Sequence, residues 1–407
     1  MIQQLNSQRN LVLLWAGQLV SQAGSSITHM AVIWLMLELT GSSTMTGLVA
    51  FAGAAPALIF GLYAGVLVDR VNRKLLLLVG DGSRALLLLI IPYLMVTNQL
   101  TPLWLAVLVF LIATFGTVFN PARDALIPMF TPRDRLLRVN ALVQSTGYLA
   151  YFAGLFGAGL IMGIVGLTRL FYVDSLTFVF SFMMILLLRV PREVETNLEK
   201  PSHFSELKNG LRYILREKPA IGWILLITAL NNFFIMGPAI VGTPLLIKEV
   251  WNGTGTDFAF VESTYGIGML IGTLFVYRFA SRYRKGTWLM LGLIYDGLTF
   301  VPLFFIHQLG QSPFWATIVI IFIHSLGIPF IQVTRTTLIH SIVPGHMQGR
   351  VFSMINLAVS GVTSLSVAAT GFAAELISAR AIFLIIGIGA AVTGIIGLAN
   401  PSIRQAD

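Results

Sequence analysis

Cysteine is absent from the 407-residue chain, which excludes disulfides, thiolate metal ligands and cysteine nucleophiles while leaving the compartment open. Charge is nearly as scarce. Asp, Glu, Lys and Arg make up 11% of the residues, against about 25% in an ordinary soluble domain. No HExxH, GxSxG or GxxxxGK[ST] occurs, and His and Asp do not cluster at metal-binding spacing. Zinc hydrolysis, serine-elbow chemistry and P-loop nucleotide binding therefore lack their residues, and no cofactor or metal is expected. Strict alternation is missing too. Runs such as LLLLIIPYLM and LWLAVLVFLIATF have no period of two, which excludes a transmembrane barrel.

What is present is apolar length. The chain is 56% hydrophobic with a mean hydropathy of +0.83. Stretches of about 18 to 25 apolar residues recur, each enough to cross about 30 Å of hydrocarbon at about 1.5 Å per residue. The fold class expected is all-α integral membrane, with 12 transmembrane helices. The breaks place spans at 11–38, 44–68, 75–96, 102–125, 138–162, 168–189, 220–247, 259–280, 287–306, 313–336, 349–375 and 380–400. The first exceeds the h-region of a cleaved signal peptide, so it is expected to be retained. One long polar segment interrupts the series and predicts three parts: a six-helix bundle over 1–190, a linker over 191–218 with an amphipathic helix around SELKNGLRYILRE, and a second six-helix bundle over 219–407.

The formal charge of +9 could suggest nucleic acid, but its distribution decides against that partner. With a cytoplasmic N-terminus, the outward connections hold only Arg169, Lys248 and Arg380 of the 26 Lys and Arg. Such a bias follows the positive-inside rule and favours contact with anionic inner-leaflet lipid. A multi-pass protein of the cell (inner) membrane with both termini cytoplasmic is expected.

The two halves resemble each other when one is slid by 212 residues. Arg123, Leu126, Ile127, Pro132, Arg138 and Val139 then meet Arg335, Leu338, Ile339, Pro344, Arg350 and Val351, six matches in a window of 17. Parallel six-span repeats place a transporter's substrate between the halves, near the bilayer midplane.

The densest charge lies in GLYAGVLVDRVNRKLLLL, residues 61–78. A positive-inside anchor is one reading of DRVNRK. A latch is the other: Gly61 and Gly65 form a small-residue face that lets a neighbouring helix come close, and Asp69 is placed to cap a helix N-terminus. The pattern Gly65-x-x-x-Asp69-Arg70-x-Asn72-Arg73-Lys74 resembles the signature between spans two and three of major facilitator transporters, G-x-x-x-D-R-x-G-R-R. Asn72 replaces glycine, a mild change because asparagine tolerates left-handed turns. The opening LLWAGQLVSQAGSSITHMAVIWLMLELTGS, FNPARDALIP in span four and GRVFSM in span eleven narrow the resemblance to the macrolide-efflux and enterobactin-exporter branch.

That resemblance implies a cytoplasmic latch in which Asp69 faces Arg350 and Arg70 or Arg73 reaches Asp124, with Lys74 beside them. It also implies alternating access around a central cavity. Span five carries GLFGAGLIMG without the proline of many proton antiporters, and span four lacks a mid-membrane arginine, so the residues leave proton coupling open.

Ionisable side chains inside spans need a partner, a water-filled cavity or a role. Asp296, roughly 14 Å into span nine, is either a packing acid or a proton carrier. Glu38 and Asp174, toward outer helix ends, are either solvated or proton-entry groups. His29 and His324 lie on cavity helices and titrate near neutrality, but each could equally be a satisfied polar contact. Asp81 and Arg84, at i and i+3, are expected to form a structural pair. For substrate contact the candidates are Gln18, Gln22, His29 and Trp34 on span one, Phe115 and Asn120 on span four, Asn231, Asn232 and Phe233 on span seven, and His324 on span ten.

The expected function is secondary active export of an amphiphilic small molecule, a macrolide-like drug or a siderophore, by a monomer that exchanges protons. A lysophospholipid flippase of the same fold is the alternative, and a membrane-embedded enzyme or receptor a remote one.

Overall fold

The computed structural model describes residues 2–132, 135–190, 219–279, 284–308 and 312–404. The expected linker helix and the side chains of Asp69 and Arg350 lie outside the described residues. Among those residues there is no strand. The helices are α1 (Ile2–Thr40), α2 (Ser43–Arg70), α3 (Arg73–Val96), α4 (Pro102–Phe130), α5 (Leu136–Val165) and α6 (Thr168–Leu186). After residue 218 come α7 (Pro219–Gly237), α8 (Thr243–Trp251), α9 (Gly255–Phe279), α10 (Lys285–Leu298), α11 (Pro313–Ile342), α12 (Gly345–Leu376), α13 (Ala379–Ala399) and the short α14 (Pro401–Arg404).

Eleven helical segments among the described residues are long and apolar enough to cross a membrane, with α7 and α8 joined in one and α10 extended by a 3₁₀ segment, Val301–Gln308, in another. The expectation of twelve is thus met by eleven of that apolarity. The 39-residue α1 is not among them, because its middle carries Gln18, Ser21, Gln22, Ser25, Ser26, Thr28 and His29. Large apolar side chains elsewhere stand open, Ile164 at 82%, Leu103 at 73% and Leu376 at 72% exposure. On a soluble protein they would drive aggregation, whereas in a bilayer they meet acyl chains.

The chain divides into two compact units. One holds the chain up to Leu39 and from Ala52 through α6; the other holds Thr40–Phe51 and the helices after residue 218. In the first, α3 buries Leu77, Asp81, Arg84, Leu88 and Ile91 along one helical face, and Leu77 joins Leu14, Phe119, Leu126 and Phe130 in a shared core. Gly154 of α5 lies so close to the backbone of Ala23 in α1 that a Cβ there would collide with it. Among the described residues nothing lies within 4 Å of where a Cβ would stand on Gly61 or Gly65, which were expected to bring a helix close.

The α2–α3 turn also departs from expectation. Asn72 does not take a left-handed turn. At φ −53° it is the N-cap of α3, its side chain accepting the Leu75 N–H at 3.1 Å, so it performs the capping expected of Asp69 for that helix. Lys74 Nζ then donates to the carbonyls of Leu186 and Leu188, both at 2.8 Å, covering acceptors that the end of α6 leaves open.

In the second unit, α7 passes into α8 through a π turn, Pro238–Gly242. Pro238 has no N–H to donate to the Phe234 carbonyl, and in the rung before it Ser366 of α12 stands between the two partners: the Gly237 N–H donates to Ser366 Oγ at 2.8 Å, and Ser366 Oγ donates to the Phe233 carbonyl at 2.5 Å. A side chain inserted into the helix ladder is an established cause of a bend. The segment 40–51 packs on α12 in the same unit, where Gly47 and Gly371 leave no room for a Cβ between the two backbones. There Glu375 accepts from Ser42 Oγ at 2.8 Å and from the Thr44 N–H at 3.1 Å.

Candidate functional site

Within the first unit a cleft of about 320 Å³ lies between α1, α4 and α5. Most of its wall is aliphatic, including Leu11, Leu14, Ile127 and Val143, and its polar groups are Trp15, Gln18, Gln22, Arg123 and Thr146. Their positions follow from helical spacing: residues 11, 15, 18 and 22 fall on one face of α1. Trp15 donates its indole N–H to Thr146 Oγ1 at 2.7 Å. Gln18 Oε1 accepts both the Gln22 amide at 3.1 Å and the Arg123 guanidinium at 2.9 Å. Arg123 turns its other edge to Asp124 Oδ1 at 2.8 Å, so the cation carries its counter-ion beside it. The result is a mostly apolar hollow with a few fixed polar groups, the composition of a small-molecule site.

The internal repeat gives this cleft a counterpart. Sliding by 212 residues takes Val12, Arg123, Ile127 and Val143 onto Ile224, Arg335, Ile339 and Ile355, and those four line a hollow of only about 10 Å³ in the second unit. In the same register Trp15, Gln18 and Gln22 become Ile227, Leu230 and Phe234. The position that is an open, mostly apolar cleft with a few polar groups in the first unit is a hollow of about 10 Å³ in the second.

Other candidates are placed differently. Trp34 is buried at 2% exposure and donates to Glu38 at 2.6 Å, so its indole faces its own helix rather than a cavity. His29 and Asn120 are exposed, and Phe115, Asn232 and Phe233 are half-buried. Arg70 is exposed. Arg73 donates to Met129 Sδ at 3.3 Å, while Asp124, its expected partner, holds Arg123.

Two buried polar clusters lie apart from the cleft. In the first unit Asp81 and Arg84 pair at 2.5 Å, and the guanidinium is held between the rings of Phe119 and Phe178, at 4.6 and 4.3 Å from their centroids. Asp174, read from the sequence as either a solvated helix-end group or an outer-gate or proton-entry acid, is 1% exposed and accepts from Thr177 Oγ1 at 2.9 Å. Gly24 of α1 leaves the space that this carboxylate and Thr177 occupy.

In the second unit Asp296 of α10 and His324 of α11 face each other at 3.6 Å. Asn231, Glu262 and Tyr265 are buried in the same unit. Tyr265 packs edge-on against the His324 ring, and its hydroxyl lies within electrostatic reach of Glu262 and Asp296. Sequence reasoning missed Glu262 and Tyr265, although an acid in an apolar span was the available signal. No group of three or more metal-ligating side chains occurs among the described residues.

Comparison with known proteins agrees with this architecture. The chain is 28% identical over 380 residues to macrolide efflux protein A of Streptococcus pyogenes, covering 92% of this chain and 91% of that one. It is 25% identical over 413 residues to the multidrug efflux pump Tap of Mycolicibacterium fortuitum, covering 99% and 98%. Among solved structures, the nucleoside transporter NupG superposes with a TM-score of 0.76 at 11% identity, covering 97% of this chain and 98% of that one, a likeness of fold alone. The family model for transmembrane secretion effectors matches residues 6–406. The chain therefore belongs to the transmembrane secretion effector family, as a major facilitator transporter of the macrolide-efflux branch.

Proposed function

We propose that the protein exports amphiphilic small molecules, macrolide-like drugs foremost, by alternating access driven by the proton gradient. The observation that carries this reading is the asymmetry of the repeat: the first unit has a cleft of about 320 Å³ with Trp15, Gln18, Gln22 and Arg123 in its wall, where the matching position of the second unit is a hollow of about 10 Å³. Such a wall receives the hydrocarbon body of a drug against Leu11, Leu14 and Val143 and its hydroxyl or amine groups against the amides. A polyhydroxylated sugar would leave most of its groups unpaired there. The efflux activities named for the relatives support the same substrate class. No nucleotide-binding motif is present, so an ion gradient is the proposed drive, and the charged α2–α3 turn is the proposed latch.

The test is transport in proteoliposomes under an imposed pH gradient, with a macrolide, a catecholate siderophore, a lipophilic cationic dye and a lysophospholipid as substrates. Gradient-driven movement of the macrolide or dye is expected. Movement of the lysophospholipid alone, indifferent to pH, would replace this reading with lipid flipping.

A further inference from the structure

The Asp296–His324 pair brings a buried carboxylate and a buried imidazole face to face across two helices. Thr299 Oγ1 lies 2.9 Å from the Tyr295 carbonyl, 3.0 Å from the Asp296 carbonyl and 2.9 Å from His324 Nδ1. The Thr299 hydroxyl hydrogen goes either to a carbonyl or to Nδ1, and the imidazole tautomer follows from that choice: in the first case Thr299 Oγ1 accepts from Nδ1–H and the second nitrogen carries no hydrogen. That nitrogen, Nε2, faces Asp296 Oδ1 at 3.6 Å, and neither atom has a hydrogen-bond partner although both are buried.

The carboxylate oxygen and the imidazole nitrogen confront each other across a distance longer than a made hydrogen bond, leaving a slot with room for one proton between them. One proton converts the confrontation into a charge-assisted hydrogen bond and draws the groups together.

The surroundings keep the slot dry. His324 is 1% and Asp296 4% exposed. Phe300 stacks on the imidazole with ring centroids 4.0 Å apart and planes within 18°. From α9, the titratable groups near the pair are Tyr265 and Glu262. From α7, the amide of Asn231 stands near Asp296 without a hydrogen bond of ordinary length. From α13, the buried residues are uncharged: Ala390, Ala391, Thr393 and Gly394. Three helices, α7, α9 and α13, therefore surround a titratable pair held by α10 and α11, and an ionisable pair inside a span is a functional site by default.

We propose that Asp296 and His324 together hold a single exchangeable proton, and that its arrival and departure couple the second unit to the proton gradient. The coupling clause rests on the proposed function; the proton site does not.

The experiment has two arms on the full-length protein. In the first, pH-difference infrared spectra of the purified protein are compared with those of Asp296→Asn and His324→Gln. A carboxyl protonation signal is expected in the parent, absent from Asp296→Asn and displaced in His324→Gln. In the second, the same proteins are reconstituted with a macrolide. Asp296→Asn is expected to lose gradient-driven accumulation to the level seen without a gradient, while pH-independent counterflow persists.

Superimposable spectra of the parent and Asp296→Asn would overturn the proton site. Full accumulation by Asp296→Asn would overturn its role in coupling. A parent protein that moves substrate without responding to pH would defeat the proton drive of the proposed function and leave the infrared arm to decide the pair. Should Asp296→Asn fail to elute as a folded monodisperse species, His324→Gln carries both comparisons, and an unshifted carboxyl signal in it counts against the proposal.

Discussion

Trp15 of α1 donates its indole N–H to Thr146 Oγ1 of α5 at 2.7 Å, and Thr146 passes its own hydrogen to the Leu142 carbonyl, also at 2.7 Å. The two helices are thus tied across the cleft by a bond whose direction is set. Trp15→Phe keeps an aromatic wall and removes the donor. A neutral hydrogen bond contributes about 1 kcal/mol net, so transport KM is expected to rise about fivefold with expression unchanged. An unaltered KM would remove Trp15 from the cleft's working surface.

Gln18 is the shared acceptor of Gln22 and Arg123. The double substitution Gln18→Leu with Gln22→Phe installs the residues of the second half, Leu230 and Phe234. It is expected to replace the cleft's two amides with apolar bulk and abolish resistance conferred on a drug-sensitive host, with expression and monodisperse elution retained. Retained resistance would place the substrate elsewhere.

Asp81 and Arg84 form a pair that is almost wholly buried. Removing one charge leaves the other stranded, a loss of about 3 to 5 kcal/mol. Arg84→Met alone should therefore lower the thermal unfolding midpoint sharply, and adding Asp81→Leu should recover much of it. A double variant no better than the single would mean that Asp174, the other carboxylate near Arg84, sets the cost.

Asn72 stands where the signature of major facilitator transporters has glycine, and it caps α3. Replacing a capping asparagine by alanine costs about 1 kcal/mol, and by glycine only a few tenths. Thermal denaturation should rank Asn72→Gly close to the parent and Asn72→Ala below both. The reverse order would show that the turn needs backbone freedom rather than a cap.

Asp69→Asn tests the latch. Transport is expected to fall while expression and folding are retained, and unimpaired transport would return the stretch 61–78 to a topological anchor. Fluorescence size-exclusion alongside the transport assay separates the two effects.

Much of the fold was legible because the bilayer asks for apolar length, and length survives in one dimension. The helices follow the expected spans, with the largest departures as extensions: α1 begins at Ile2, α11 runs on to Ile342 and α4 to Phe130. Along α4 the charges Arg123 and Asp124 pair with each other, so the helix carries them without a loop. Close helix contacts were less legible. Gly61, Gly65 and Gly154 read alike in sequence, yet only Gly154 meets another backbone, since spacing shows that approach is permitted and not which helix arrives. The Asp296–His324 pair joins two helices, and no local pattern announces such a meeting. Glu262 was hidden for another reason: it lies in VEST, a polar stretch that looks like the mouth of a span, but it is 7% exposed.

Ser366 has a consequence for motion. A helix normally supplies its own rungs, but the rung between Phe233 and Gly237 is completed by a hydroxyl that α12 lends to α7. The seventh span is therefore articulated at a joint whose pin belongs to a different helix. Bending at that joint must either carry α12 along or break two buried hydrogen bonds together, so the two helices form one mechanical part.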